Sequence, residues 1–229
     1  ACLVGSEDVY KRQFKDRVRA VLREQLQLVK ERDLLVPQVA WGYFPANSDG
    51  NELIIFKDED RQVERMRFEF PRQAAEPHLC IADFFRSVAS GEPDWVAFHV
   101  VTMGRRISEA TAELFAANSY RQYLLLHGLG VEMTEALAEY WHHRIRQEWG
   151  FAHEDGPSLA GLFRQKYRGG RYSFGYPACP DLAGNAQIAE LLEAERIGVS
   201  LSEELQYEPE QTTSAIICHH PQAKYFVVR

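Results

Sequence analysis

The run DWVAFHVVTMG at 94–104 constrains this chain more than any other stretch. Successive residues of a strand point to opposite faces, and here both faces are apolar, so the run predicts a strand covered on both sides. Such a strand needs a layer above and a layer below. The chain can supply them: 229 residues, 45% hydrophobic and 12% aromatic, support one large domain with a genuine core.

The flanking sequence supplies candidate layers. From Phe14, apolar residues Val18, Val21, Leu22, Leu26 and Val29 recur at spacings of three and four, which predicts a helix closed by Pro37. VAWGYFPANSDG then reads as a short strand running into a turn, and NELIIFKDED with RMRFEFPRQ as a β-hairpin. HLCIADFFRSVAS reads as a short helix or a strand-to-helix passage. Two long helices follow. The first carries Ser108 as its N-cap and Gly128 as its stop; the second has Met133, Leu137, Trp141 and Ile145 on one stripe. Ser158 is read as the cap of LAGLFRQKY and Asn185 as the cap of AQIAELLEAERIG. TTSAIICHH and KYFVV are read as a closing hairpin turned at Pro221. This order predicts an α+β single domain around a largely antiparallel, twisted sheet flanked by helices, not a Rossmann fold. Residues 1–13 show no clean periodicity and read as a non-native or linker segment, leaving 14–229 as the domain. With Ala1 at one end and Arg229 straight after an apolar run at the other, both ends read as cut.

Composition removes several classes of function. The formal charge is −7 and no face is dense in Lys or Arg, which argues against a nucleic-acid partner. No apolar run reaches the length of about 18 residues that spans a bilayer, and no secretory signal is present. Cys2, Cys80, Cys179 and Cys218 are scattered without framework spacing and read as free thiols in a reducing, cytoplasmic setting.

The usual cofactor signatures are missing: no GxGxxG follows a strand, and there is no P-loop. Neighbouring His142 and His143 would diverge by about 100° around a helix, and His219 and His220 would face opposite sides of a strand. Neither pair has metal-ligand spacing. The stretch RYSFGYPACPDL, residues 171–182, is different. Arg171 emerges after a Gly-Gly break with a fork of donors suited to a carboxylate. Gly175 permits close backbone approach, Tyr176 offers a ring with a polar tip, and Pro177 and Pro180 stiffen the loop. The residues alone leave two readings open: a ligand loop, or a rigid surface turn with Arg171 in a structural salt bridge.

RYSFGYPACPDL, followed by a helix and HPQAKYF, resembles the C-terminal activation domain of cobalamin-dependent methionine synthases, whose fingerprint is Arg-x-x-x-Gly-Tyr-Pro-x-Cys-Pro. The resemblance runs back through AEYWHHRIRQEWG, CIADFF and GYFPAN, and so covers nearly everything from Phe14 onward. It implies a site for S-adenosylmethionine. In that site Arg171 contacts the ligand, Gly175, Tyr176, Pro177 and Ala178 shape the loop, Tyr225 and Phe226 line the groove, and Glu135 is a further candidate contact. Strand alternation assigns the Tyr225 ring to the ligand and the Phe226 ring to the core. The chain departs from the family in three ways: the segment upstream of where the resemblance begins, which carries an Asp-Trp ligand motif in the family, is absent, with Asp83 of CIADFF no substitute for it; Leu182 stands where a histidine is frequent; and no helix follows the last strand.

The implied role is reductive reactivation within a methyltransferase of methionine biosynthesis. An electron from a flavodoxin-like protein or flavoprotein reductase, and a methyl group from S-adenosylmethionine, restore methylcobalamin. The chain lacks the Asp-x-His-x-x-Gly cobalamin motif, so cobalamin is expected from another domain of the parent enzyme, and zinc in that parent only. Methyl transfer to reduced cobalt needs orientation rather than a general base, and a corrin carried elsewhere calls for a shallow groove. The fragment alone is not expected to be active. Two rivals stand beside this reading: an interaction module with the same fold and no ligand, and a metal hydrolase built on Cys218, His219 and His220.

Overall fold

The computed structural model describes residues 4–162 and 164–228; Cys2 and the side chain of Phe14 lie outside the described residues. The two-faced run is strand β4 (Asp94–Thr102), with β1 (Gln38–Asp49) on one side and β8 (Thr212–Cys218) on the other. Beyond β1 lie β2 (Glu52–Phe56) and β3 (Glu64–Glu69); beyond β8 lies the three-residue edge strand β5 (Gly170–Tyr172). The sheet order is β3-β2-β1-β4-β8-β5 with every pairing antiparallel. A separate two-stranded ribbon joins β6 (Ser200–Leu201) to β7 (Tyr207–Glu208).

The alternation along β4 divides the core. Val96, Phe98 and Val100 face a large cluster with Leu53, Ile55, Phe68 and Phe70, closed by helix α5 (Ala183–Leu192) and by the turn at Ile81–Phe84. Ala97 faces the other way with Ala215 and Ile217, under Ile145 and Trp141 of helix α3 (Tyr120–Glu148). Both faces are therefore covered, as the apolar run requires. A third cluster joins helix α1 (Val4–Glu31), helix α2 (Arg105–Ala116) and the first half of α3 around Met103 and Ile107. Among the described residues no helix is long and apolar enough to cross a membrane.

Several boundaries differ from the sequence reading. Helix α1 is already formed at Val4, so residues 4–13 continue the helix expected from Phe14. Strand β1 is twelve residues rather than short, because β4 pairs with it from Gln38 to Ala46 and β2 from Ala46 to Asp49. The two long helices divide at Asn118, which has φ of 56°, and not at Gly128, which lies inside α3. A helix-interior glycine costs about 1 kcal/mol, an amount that α3's packing overrides; nearby Gly130 approaches so closely that a Cβ would lie 2.9 Å from Gln211 and Ile107. Ser108 sits within α2, its hydroxyl donating to Gln211 rather than capping a helix. Asn185 is likewise inside its helix, buried, donating to the Leu205 carbonyl; Leu182 is the N-cap of α5, and Asp181 just before it accepts from the Ala183 amide at 2.9 Å. Ser158 does accept from the Gly161 amide, but the helix it opens is a single turn, α4 (Leu159–Leu162).

The closing hairpin does not form. Pro221 is in a turn, closed by the Ala223 amide donating to the His220 carbonyl, but 224–228 is not a strand. The edge of β8 is already taken by β5. The segment finds other partners: the Tyr172 hydroxyl donates to the Lys224 carbonyl at 2.9 Å, and the Val228 amide donates to the Pro177 carbonyl at 3.1 Å.

The contact of α5 with the 171–182 loop generates a prediction. A Cβ on Gly184 would lie 2.0 Å from the ring of Phe174, itself buried against Phe68 and Phe70. Gly184→Ala should therefore destabilise by about 1–3 kcal/mol through overpacking, seen as a thermal midpoint lowered by about 2–4 °C per kcal/mol. An unchanged midpoint would mean the ring can move aside.

Candidate functional site

The register of β5 aims the site. Arg171 lies opposite Ile217 and Tyr172 opposite Ile216. Opposed residues share a sheet face, so Arg171 points toward α3 and Tyr172 into the aromatic core. There Arg171 meets two carboxylates spaced one helical turn apart. Its Nη1 donates to Glu139 Oε2 at 2.9 Å and its Nη2 to Glu135 Oε2 at 3.3 Å.

The loop after Arg171 is fixed from below and open above. The Gly175 amide donates to the Cys179 carbonyl and the Cys179 amide to the Tyr176 carbonyl, both at 2.9 Å. Phe174, Ala178 and Cys179 are buried in the core. Gly175 has φ of +85°, and a Cβ there would lie 2.8 Å from Leu182, so both backbone and space require glycine. Tyr176 is left 51% exposed, and Tyr225 stands across from it at 45%. Two hollows meet along this line. One, of about 440 Å³, lies between Arg171, Glu135, Tyr176 and Tyr225. The other, of about 280 Å³, shares Glu135, Ser173 and Tyr176 and continues toward Tyr207 and Gln211. Together they form a shallow groove.

Of the residues singled out in the sequence, Arg171, Glu135, Tyr176 and Tyr225 line this groove. Phe226 does not: it is buried against Tyr172 and Phe84, opposite to Tyr225. Gly175, Pro177 and Ala178 shape the loop without facing the hollow beside Arg171. Glu139, Tyr167 and Ser173 line it and were not singled out. Glu139 was within reach of sequence reasoning, one turn from Glu135; Tyr167 was not, because only the fold returns it to α3.

Beneath the groove lies a buried polar seam. Arg146, fully buried, donates to Asp155 through Nε and Nη2 at 2.9–3.2 Å and stacks over the Tyr167 ring at 4.2 Å. Burial alone would raise the Asp155 carboxyl; the hydrogen bonds from Arg146 and His143 outweigh it and hold it below the ordinary carboxylate range. His99 of β4 and His142 of α3 are fully buried, and neither ring nitrogen of either has a partner among the described residues. Burial, reinforced by nearby Arg171, pushes His99 down to about 3. Burial, reinforced by Arg146, likewise keeps His142 neutral.

The remaining candidates have structural partners. Burial pushes the Cys179 and Cys218 thiols up to about 12, which makes them poor nucleophiles. His219 bonds to Asp94 at 2.6 Å, and the His220 ring receives the Gln222 amide. Among the described residues, no group of three or more His, Cys, Asp or Glu side chains gathers as a metal site.

Comparison with known proteins agrees with the fold. The family described as "Vitamin B12 dependent methionine synthase, activation domain" matches residues 6–229. The chain is 52% identical to the methionine synthase of Mycobacterium tuberculosis over 201 residues, and 49% identical to that of Mycobacterium leprae over the same length. Each alignment covers 83% of this chain and 17% of the relative, so the chain spans about a sixth of the length of these enzymes. A crystal structure of the MetH reactivation domain bound to AdoHcy is similar over 100% of this chain and 70% of that one, with a TM-score of 0.85 and 32% identity. The chain belongs to the activation-domain family of vitamin B12-dependent methionine synthases.

The buried histidines dictate how stability responds to acid. Unfolding returns each to the ordinary value of about 6.5. Below that, and down to the folded value of about 3 for His99, the unfolded chain binds more protons than the folded one. Their contribution is therefore complete above about pH 6.5 and is lost as pH falls through this window. His99→Leu should reduce the slope of unfolding free energy against pH by about 1.4 kcal/mol per unit between about pH 4 and 6. Denaturant titrations across that range measure it, and an unaltered slope would show that His99 is already protonated in the folded protein.

Proposed function

We propose that the groove binds S-adenosylmethionine by its amino-acid end and presents the methyl group for reductive reactivation of cobalamin in a parent methionine synthase. The observation that carries the reading is Arg171: a guanidinium in an open groove, beside a rigid loop, lining the same hollow as Tyr176 and Tyr225. A planar fork suits the ligand carboxylate. The rim carboxylate of Glu135 suits the ligand ammonium, and the two exposed phenol rings offer apolar faces with polar tips. The solved relative, 32% identical, holds AdoHcy, the demethylated form of the same ligand.

The residues of this chain bind and orient; none in the groove is placed as a general base, and methyl transfer from a sulfonium requires no proton removal. Cobalamin held on another domain would supply reduced cobalt as the methyl acceptor. The electron comes from a flavodoxin-like or flavoprotein donor. An open groove fits this division of labour, since a sealed pocket would keep a second domain from the methyl group. The two ion pairs of Arg171 favour one competing reading, an interaction module in which Arg171 is purely structural.

Calorimetric titration with S-adenosylmethionine separates the two. Arg171→Ala should weaken binding by about 1.5–3 kcal/mol, the worth of a charge-assisted contact, with the fold intact. An unchanged dissociation constant removes Arg171 from the ligand.

The adjacent aromatic pair gives a second test. Tyr225→Ala should lose affinity and keep its melting temperature. Phe226→Ala, which empties a core position, should lose about 3–5 kcal/mol of stability. The reverse order of effects would exclude Tyr225 as a ligand contact.

A further inference from the structure

We infer that Glu139 is a positioning residue with two partners. It holds Arg171 through one arrangement and passes to the buried Arg146 when a ligand carboxylate takes its place. The inference rests on the reading of Arg171 as the carboxylate anchor and adds what that reading lacks, a destination for the anion that must leave.

Glu139 lies between two guanidinium groups. Its Oε2 accepts from Arg171 Nη1 at 2.9 Å. Its Oε1 is buried with no hydrogen-bond partner among the described residues, and stands 3.8 Å from Arg146 Nη2. Arg146 Nη1 is also buried and also lacks an acceptor. Arg146 cannot move to meet Glu139, because Asp155 and the Tyr167 ring fix it on two sides. The carboxylate can: a shift of about 1 Å brings an oxygen to ordinary hydrogen-bond distance from Arg146.

The two arrangements are close in free energy for a definite reason. With Glu139 on Arg171, the buried Oε1 of Glu139 goes unsatisfied, a cost that a second hydrogen from Arg146 Nη2 would remove. With Glu139 on Arg146, that cost falls, but Arg171 loses its nearest anion. A ligand carboxylate arriving at Arg171 replaces that anion. Were Glu139 to stay, three carboxylates would crowd one guanidinium, since Glu135 is already 3.3 Å away. The ligand therefore tips the balance, and in its absence Glu139 competes with it for Nη1.

S-adenosylhomocysteine is the suitable probe, because its amino-acid end is a zwitterion and the ligand carries no net charge to respond to the general field. Calorimetry on the unaltered protein, E139Q and R171A reads the competition. E139Q should bind about two- to fivefold more tightly than the unaltered protein, the range for losing a partly exposed ionic competitor, while R171A binds more weakly. In a crystal of the unaltered protein with S-adenosylhomocysteine, a Glu139 oxygen should lie within hydrogen-bond distance of Arg146 and beyond it from Arg171. Weaker or equal binding by E139Q, with R171A still weakened, overturns the switch and leaves the ligand reading standing. Glu139 still bonded to Arg171 in the liganded crystal overturns it as well, whatever the fate of the variant. If R171A binds as tightly as the unaltered protein, the ligand reading falls and takes the switch with it.

Discussion

Three residues of backbone pairing decide where Arg171 points and so how the groove is lined. Strand β5 joins the sheet only through Gly170–Tyr172, and its register on β8 puts Arg171 over α3 and Tyr172 in the core. A slip of one residue would exchange the two side chains, burying a guanidinium among phenylalanines and stranding a tyrosine against glutamates. The penalty for an unpaired buried charge makes that slip prohibitive. Tyr172 then extends the consequence. Its hydroxyl ties down the Lys224 carbonyl, and the segment it holds carries Tyr225 to the groove and Phe226 into the core.

The groove stands on an unusual foundation. Along α3, Glu135, Glu139, His142 and Arg146 recur at helical spacing and form a polar seam against the sheet. Ion pairs buried in this way add little net stability, because desolvation offsets most of their attraction. What the seam supplies is position. Asp155, Tyr167 and Arg146 lock together beneath Glu139, which in turn faces Arg171. The histidines next to it, whose rings have no hydrogen-bond partner among the described residues, are tolerated because they stay neutral, and that same neutrality makes the fold sensitive to acid.

The solvent side of the groove has the opposite character. The loop from Ser173 to Cys179 buries Phe174, Ala178 and Cys179 and exposes Gly175 to Pro177, so its backbone is anchored at both ends while Tyr176 remains accessible. Rigidity below and access above suit the proposed function, in which the groove grips one end of a small molecule and offers the other to a second domain.

Much of this was legible from residues alone. The apolar run at 94–104 demanded a two-faced strand, and sequential hairpins demanded antiparallel neighbours, because side-chain alternation is a local property of the backbone. The fingerprint around Arg171 and Gly175 was legible too, and so was the opposition of Tyr225 to Phe226, since adjacent residues of an extended segment diverge whether or not it joins a sheet. The tertiary structure decided the rest. Gly128 and Asn185 look like helix terminators and caps, yet both lie inside helices whose packing outweighs their local preference. The closing segment has strand composition and is no strand, because β5 had already taken the only open edge of β8. Glu139 and Arg146 read as ordinary charged residues of a helix; only the sheet's return past α3 sets one guanidinium above them and buries the other. Local pattern determines which way a side chain can point, but what it meets depends on contacts between residues far apart in the chain, and those belong to the fold.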